Sequence, residues 1–388
     1  MGVRAVQSRI SYFWKEPNAR QGFEVGVSLH SHTNHSRESL SFVPLLANRC
    51  APVRWYLEHH ERKAQSGKIP LNLFGANWTP PVTAREAYEL ERRQVEDVLG
   101  LQSIVSLSDH DNIEASTRLR VMPEFSGAPI SVEWTVPFEE GHFHLGVHNL
   151  PPKHATSIMA GLAEYTAKPV PEGLKELFRF LNEMESVLIV FNHPKWNIAL
   201  LEPSRFQYLL TDFLSKYSAF LHAFELNGLR SCRENQEVAK LAAGWNQLVI
   251  SGGDRHGREP NANVNLTNAR TMDEFVHEVR VRRISNVMFM PQYADPLAMR
   301  FVHTFLDVIR EYPDYPEGAR TWQDRTLHPD STGALKPISG QWEAPPAFIA
   351  SVFRLAFYLE SGFAPNLWRK VASNKDFRLN LMDGESNL

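Results

Sequence analysis

The sequence predicts an α/β fold in which parallel strands joined by helices close into a seven-stranded (β/α) TIM-like barrel, with an insertion after the first strand and a mainly helical C-terminal extension. Three observations predict it. Seven short apolar, β-branched runs recur along the chain, helical patterns lie between several of them, and every run ends in a polar group. Unbroken apolar runs of this length mark strands buried on both faces, as in parallel sheets. Barrels of parallel strands carry their functional residues at the strands' C-terminal ends, where all seven polar groups fall.

In order, residues 24–29 (EVGVSL) lead into His30, 103–108 (SIVSLS) into Asp109, His110 and Asp111, and 129–132 (PISV) into Glu133. Residues 143–147 (FHLGV) lead into His148, 187–192 (VLIVFN) into His193, 220–224 (FLHAF) into Glu225, and 248–253 (LVISGG) into Asp254, Arg255 and His256. Between them, 83–99 opens with Thr83 and Glu86 at capping-box spacing and closes before Gly100. Residues 171–185 place Leu174, Leu177, Phe178 and Leu181 on one helical face, and Thr271 with Glu274 caps a helix carrying Phe275, Val276 and Val279.

The 388 residues allow two or three small domains or one large barrel with additions. Forty-one Lys and Arg against 44 Asp and Glu leave a net charge of −3, which supplies no overall basic field for long nucleic acid. Two cysteines exclude a disulfide framework and a cysteine zinc motif. With no apolar run of membrane-span length and no signal-peptide pattern, a soluble cytoplasmic protein is expected.

The 16 histidines are the compositional exception, and nine of them lie in five short segments. His30 and His32 are two apart, so on a strand both imidazoles share a face and reach one cation. Asp254 and His256 repeat the spacing at the last run, while His110, Glu133 and His193 end others. Imidazole with carboxylate suits zinc, manganese or iron, and the candidates outnumber the ligands of one tetrahedral ion. His142, His144 and His148 share parity and would share a face of an unbroken strand. The cations beside these candidates are Arg255, flanked by two of them, and Arg37, Lys195 and Arg230.

The motifs LHSHT at 29–33, SDHD at 108–111, SVE at 131–133, HLGVH at 144–148, NHP at 192–194, ELNG at 225–228 and GGDRHG at 252–257 stand in an order that resembles the polymerase and histidinol phosphatase (PHP) superfamily of metal-dependent phosphoesterases. The resemblance runs from about residue 24 to about 290 and implies a distorted (β/α)7 barrel holding two or three divalent ions (Zn, Mn or Fe). It implies His30, His32, Glu133 and Asp254 on one metal, Glu133 bridging to a second also held by His193, and His110 with His256 on a third. That third site usually has an Asp seven residues, or a His eight residues, after the first His. Here these positions are Arg37 and Glu38, so Glu38 is the substitute oxygen ligand and His35 the fallback. The second metal's remaining ligand is His148 in one family pattern and His142 in another; His148 is preferred for its place at the strand's end.

The resulting expectation is a hydrolase of a small phosphorylated substrate, with a metal-activated hydroxide attacking phosphorus and with Arg255 foremost, then Arg37, Lys195 and Arg230, as binders of the substrate phosphate. Asp109 and Asp111 are expected to orient His110 or its neighbours. An amidohydrolase shares His30, His32, His193 and Asp254 but not His110 or His256, and a noncatalytic metal-binding module is the alternative from another class. The insertion at about 39–82, with a helix expected over 53–66, would form a lid or substrate wall. Residues 291–388 form the extension, in which 312–318 and 331–340 read as loops and the apolar 344–359 would pack on the barrel or a second subunit.

Overall fold

The computed structural model describes residues 7–40, 75–315 and 318–341. The strands are β1 Gln7–Tyr12, β2 Val25–Leu29, β3 Glu38–Ser39, β4 Asn77–Trp78, β5 Gln102–Ser106, β6 Val132–Phe138 and β7 Gly141–His148. They continue as β8 Leu188–Phe191, β9 Ala223–Asn227, β10 Leu248–Gly252, β11 Asn263–Thr267, β12 Ile284–Phe289, β13 Thr326–Pro329 and β14 Leu335–Pro337. The expected helices form: Ala84–Arg93 begins on a reciprocal Thr83/Glu86 capping box, Pro171–Glu183 buries Leu174, Phe178 and Leu181, and Met272–His277 is capped by Thr271.

The closed barrel of seven parallel strands is not what forms. The strands make three sheets, ordered β1-β12-β11-β2-β5, β10-β9-β8-β7-β6 and β14-β13-β4-β3, and none is closed. β2 and β5 are parallel, as are β8, β9 and β10, but β7 runs antiparallel to both β6 and β8, and β11 antiparallel to β2 and β12. The physical reason is a tight hairpin. Glu139, with φ of 52°, and Glu140 turn β6 directly back into β7, leaving no crossover helix to make the pair parallel.

The two large sheets face one another across a core in which Val25, Val27 and Leu29 of β2 meet Leu188, Val190, Ala223, Leu248 and Ile250. Where β2 and β5 end, single parallel bridges, Ser31 to Arg255 and His110 to Glu133, join the sheets. The polar strand ends therefore converge without a continuous ladder. A larger apolar cluster centred on Trp134, Phe178 and Phe213 packs the helices Ala155–Ala167, Pro171–Glu183 and Pro203–Tyr217 on the outer face of β6–β9.

The third sheet joins segments distant in sequence. β4 pairs with β3 on one side and with β13 on the other, so the chain after 291 contributes to the wall that holds Glu38. Residues 331–340, expected as a loop, include β14 and a short 3-10 turn. The expected helix over 53–66 and the apolar segment 344–359 lie outside the described residues, as does most of the insertion. Among the described residues no helix is long and apolar enough to cross a membrane.

His222 stitches β8 to its outer layer. Its Nδ1 accepts the Ile189 N–H at 2.9 Å, and its Nε2 lies 3.2 Å from Asn182 Oδ1. Burial, with Arg280 and Arg283 nearby, lowers its pKa from 6.5 to about 3. Above pH 6.5 the group is neutral in both folded and unfolded chains. Below it the unfolded imidazole gains a proton that the folded one refuses, so stability falls as the pH drops from 6.5 toward about 3. His222→Gln is expected to flatten that part of the pH–stability curve, measured by urea unfolding from pH 7 to 4.

Candidate metal centre

His30, Ser31 and His32 follow β2. They are not a regular strand, because His30 has φ of 63°, yet the two rings come within 5.0 Å centroid to centroid. His193, with φ of 28°, follows β8, and Asp254, with φ of 56°, follows β10. Left-handed backbone at three non-glycine residues costs roughly 1–3 kcal/mol each and is characteristic of functional sites. Glu133 comes from β6, His110 from the segment after β5, and Glu38 from β3.

Glu133 is fully buried and both its oxygens face histidines. Oε2 lies 3.0 Å from His30 Nε2, 3.3 Å from His32 Nε2 and 3.3 Å from His110 Nε2. Oε1 lies 3.0 Å from His193 Nε2 and 3.3 Å from His144 Nδ1, and accepts the Asn192 side-chain N–H at 3.0 Å. Asp254 Oδ1 is 3.4 Å from His32 Nε2 and 3.7 Å from His30 Nε2. Glu38 Oε2 sits 3.3 Å from His110 Nε2 and 3.2 Å from His256 Nε2. Among the described residues three overlapping groups could each hold an ion: His30, His32, Glu133 and Asp254; His110, Glu133 and His144; and His32, Glu38, His110 and His256.

Hydrogen bonds behind the rings set their tautomers. His30 Nδ1 lies 2.6 Å from the Glu225 carboxylate, His32 Nδ1 3.2 Å from Ser36 Oγ, and His256 Nδ1 2.8 Å from the Asp254 carbonyl. With Nδ1–H donating to these oxygens, each Nε2 is left with its lone pair toward the carboxylates. His30 Nε2, His32 Nε2, His144 Nδ1 and Glu133 Oε2 are buried without a hydrogen-bond partner. Lone pairs converging in this way repel unless a cation or a proton lies between them, so the donor set fits divalent metal.

Protons are the other means of balance. Burial opposes charge on these groups but is outweighed: Glu133 and Glu38 are held well below the usual carboxylate range by the histidines around them. Against its own burial, His110 is pushed up to about 10 by Glu133 and Glu38. His144 goes the other way, to about 3, through burial and the neighbouring His110 and His193, and stays a neutral donor of its lone pair.

The structure brings together His30, His32, Glu38, His110, Glu133, His193, Asp254 and His256. It places His144, rather than the preferred His148, beside Glu133. Antiparallel β7 explains this: His148 pairs with Leu188 at the start of β8, whereas the His144 carbonyl accepts the Asn192 N–H at its end, next to His193. The His148 ring instead meets Ser106 Oγ at 2.9 Å, and His142 stands beside His144 with ring centroids 5.5 Å apart. His35 turns to Glu114, at 3.4 Å.

Asp109 and Asp111 act on backbone. Asp109 accepts the Thr33 N–H and hydroxyl, the latter at 2.8 Å, and Asp111 accepts the Thr135 N–H at 2.8 Å. Arg255, expected as the foremost phosphate binder, is buried, with Nε 2.9 Å from Glu91 and an amino group donating to the Gly257 carbonyl. Its chain neighbours Asp254 and His256 face Glu38 and the histidines, whereas its own side chain turns to the helix Ala84–Arg93. Arg230 remains at the site, donating to Asp254 Oδ2 at 3.2 Å and stacked 4.1 Å over Trp196, while Arg37 and Lys195 are more exposed.

Glu225, Asn192 and Ser36 were given no role from sequence. Glu225 was visible as the end of an apolar run, but its partner was not. A Cβ at Gly252 would fall 2.3 Å from Glu225 Oε2, so glycine there makes room for the carboxylate.

No family model and no curated protein matches the chain. Among solved structures, an amidohydrolase from Chromobacterium violaceum, with sulfate bound and no metal, is 14% identical, covering 46% of this chain and 84% of its own, at a TM-score of 0.32. A protein from Bifidobacterium adolescentis assigned as a metal-dependent phosphoesterase is 18% identical, covering 53% and 92%, at a TM-score of 0.31. Likeness at this level carries no argument about chemistry, which rests on the side chains themselves.

Two outcomes are expected. Metal uptake releases protons and tightens as pH rises, because bound ions replace the protons that the carboxylates hold on His30, His32 and His110; calorimetry in buffers of different ionisation enthalpy measures this. His144→Ala lowers the metal content of the purified protein and His148→Ala leaves it unchanged, as read by elemental analysis.

Proposed function

We propose that the protein is a metal-dependent hydrolase of phosphate esters, acting on a small phosphorylated substrate. The observation that carries the reading is Glu133, a fully buried carboxylate whose two oxygens face five histidines and serve two of the three ligand groups. Two or three divalent ions, when bound, supply an activated water as nucleophile and neutralise charge on the phosphoryl oxygens.

The chain's own residues supply the rest. Glu225, Ser36 and the Asp254 carbonyl keep the Nε2 atoms of His30, His32 and His256 free as ligands. Arg230 presents a planar cation beside Asp254, suited to a phosphate oxygen, and Arg37 and Lys195 supply positive charge at the rim. Trp78, whose ring lies 5.8 Å from that of His256, and Trp196 on Arg230 supply apolar surface for the rest of the substrate. The group formed by Glu38, His110 and His256 with His32 favours phosphate over amide substrates, because a third cation matches an ester with several charged oxygens.

The test is a panel of phosphomonoesters and diesters assayed with manganese, zinc and iron. Turnover is expected for the wild type and a loss of more than about 100-fold for Glu133→Ala. Bound metal with no hydrolysis of any ester would sink the enzyme reading in favour of a noncatalytic metal-binding module.

A further inference from the structure

We propose that Glu91 is the positioning residue that sets the two ligand arms, 30–32 and 254–256, relative to one another. The inference rests on the metallohydrolase reading above. Each arm carries ligands at its ends, His30 and His32 in one, Asp254 and His256 in the other. Their middle residues, Ser31 and Arg255, turn their side chains to a shared partner instead.

That partner is Glu91, on the helix Ala84–Arg93 and fully buried. One oxygen accepts Arg255 Nε at 2.9 Å, Ser31 Oγ at 3.3 Å and the Asn261 N–H at 3.1 Å; the other accepts Ser28 Oγ at 2.8 Å. A single carboxylate thus holds the middle of both arms. The arms also pair directly, His32 N–H with the Arg255 carbonyl at 3.0 Å and Asp254 N–H with the His30 carbonyl at 2.8 Å.

The anchor has a physical task. His30 and Asp254 have φ of 63° and 56°, conformations that L-residues leave unless their surroundings hold them. Side-chain bonds immediately next to the strained residues supply that restraint. The same contact pairs the Arg255 charge with Glu91, and Arg255 also bonds the Gly257 carbonyl just beyond His256.

Cobalt(II) provides the test, because its d–d absorption reports ligand geometry independently of turnover. Wild type, Glu91→Gln and the double variant Glu91→Leu with Arg255→Met are compared for Tm, cobalt affinity by chelator competition, and spectrum. Glu91→Gln leaves Arg255 buried and unpaired and is expected to lower Tm; the double variant removes that charge and recovers it. In both, cobalt affinity is expected to fall about 10- to 100-fold with a changed spectrum. A double variant with wild-type affinity and spectrum overturns the proposal and leaves Glu91 a stabilising residue only. Wild type that takes up no cobalt, zinc or manganese overturns the metallohydrolase reading, and this proposal with it.

Discussion

The structure depends on one constraint: a carboxylate, Glu133, held fully out of water with histidines from four separate segments around its oxygens. A buried carboxylate surrounded by ring lone pairs is unfavourable unless positive charge lies between them. Much of the nearby polar structure answers that demand. Glu225, Ser36 and the Asp254 carbonyl orient rings, Asp109 and Asp111 hold backbone N–H groups, and Asn192 donates to Glu133 directly. The left-handed backbone at His30, His193 and Asp254 is the conformational counterpart, since it turns side chains at strand ends into a common volume.

The third sheet gives the C-terminal segment a place in the centre. Glu38 lies on β3, which pairs with β4, which pairs with β13. Arg325, just before β13, bonds the Val308 and Arg310 carbonyls, tying that sheet to the end of the helix Leu297–Ile309. Glu38, which faces His110 and His256, is therefore carried by a sheet completed by the segment after Arg325.

How much was legible varied with the physics of each signal. The apolar runs lie at or close to strands, because burial on both faces leaves a direct trace in composition. Strand direction leaves none: the run at 143–147 reads the same whether its neighbours are parallel or antiparallel, so the sequence points to His148 at the strand's C-terminal end, whereas antiparallel β7 brings His144 beside Glu133. The run at 129–132 ends where β6 begins, placing Glu133 at the start of a strand. The turn between β6 and β7 carries Glu139 and Glu140 in place of the Asn-Gly or Asp-Gly pair that would have announced it.

Residue chemistry and spacing by themselves marked out His30, His32, His110, Glu133, His193, Asp254 and His256 as candidate ligands, because a metal site needs particular donor atoms and those are written one per residue; Glu38 is a candidate only through the family resemblance. Tertiary structure alone decided that the sheets stay open, that His144 lies beside Glu133, and that Arg255 pairs with Glu91. These are matters of direction, of which way a strand runs and which way a side chain leaves it, and direction is settled only when a distant segment packs alongside.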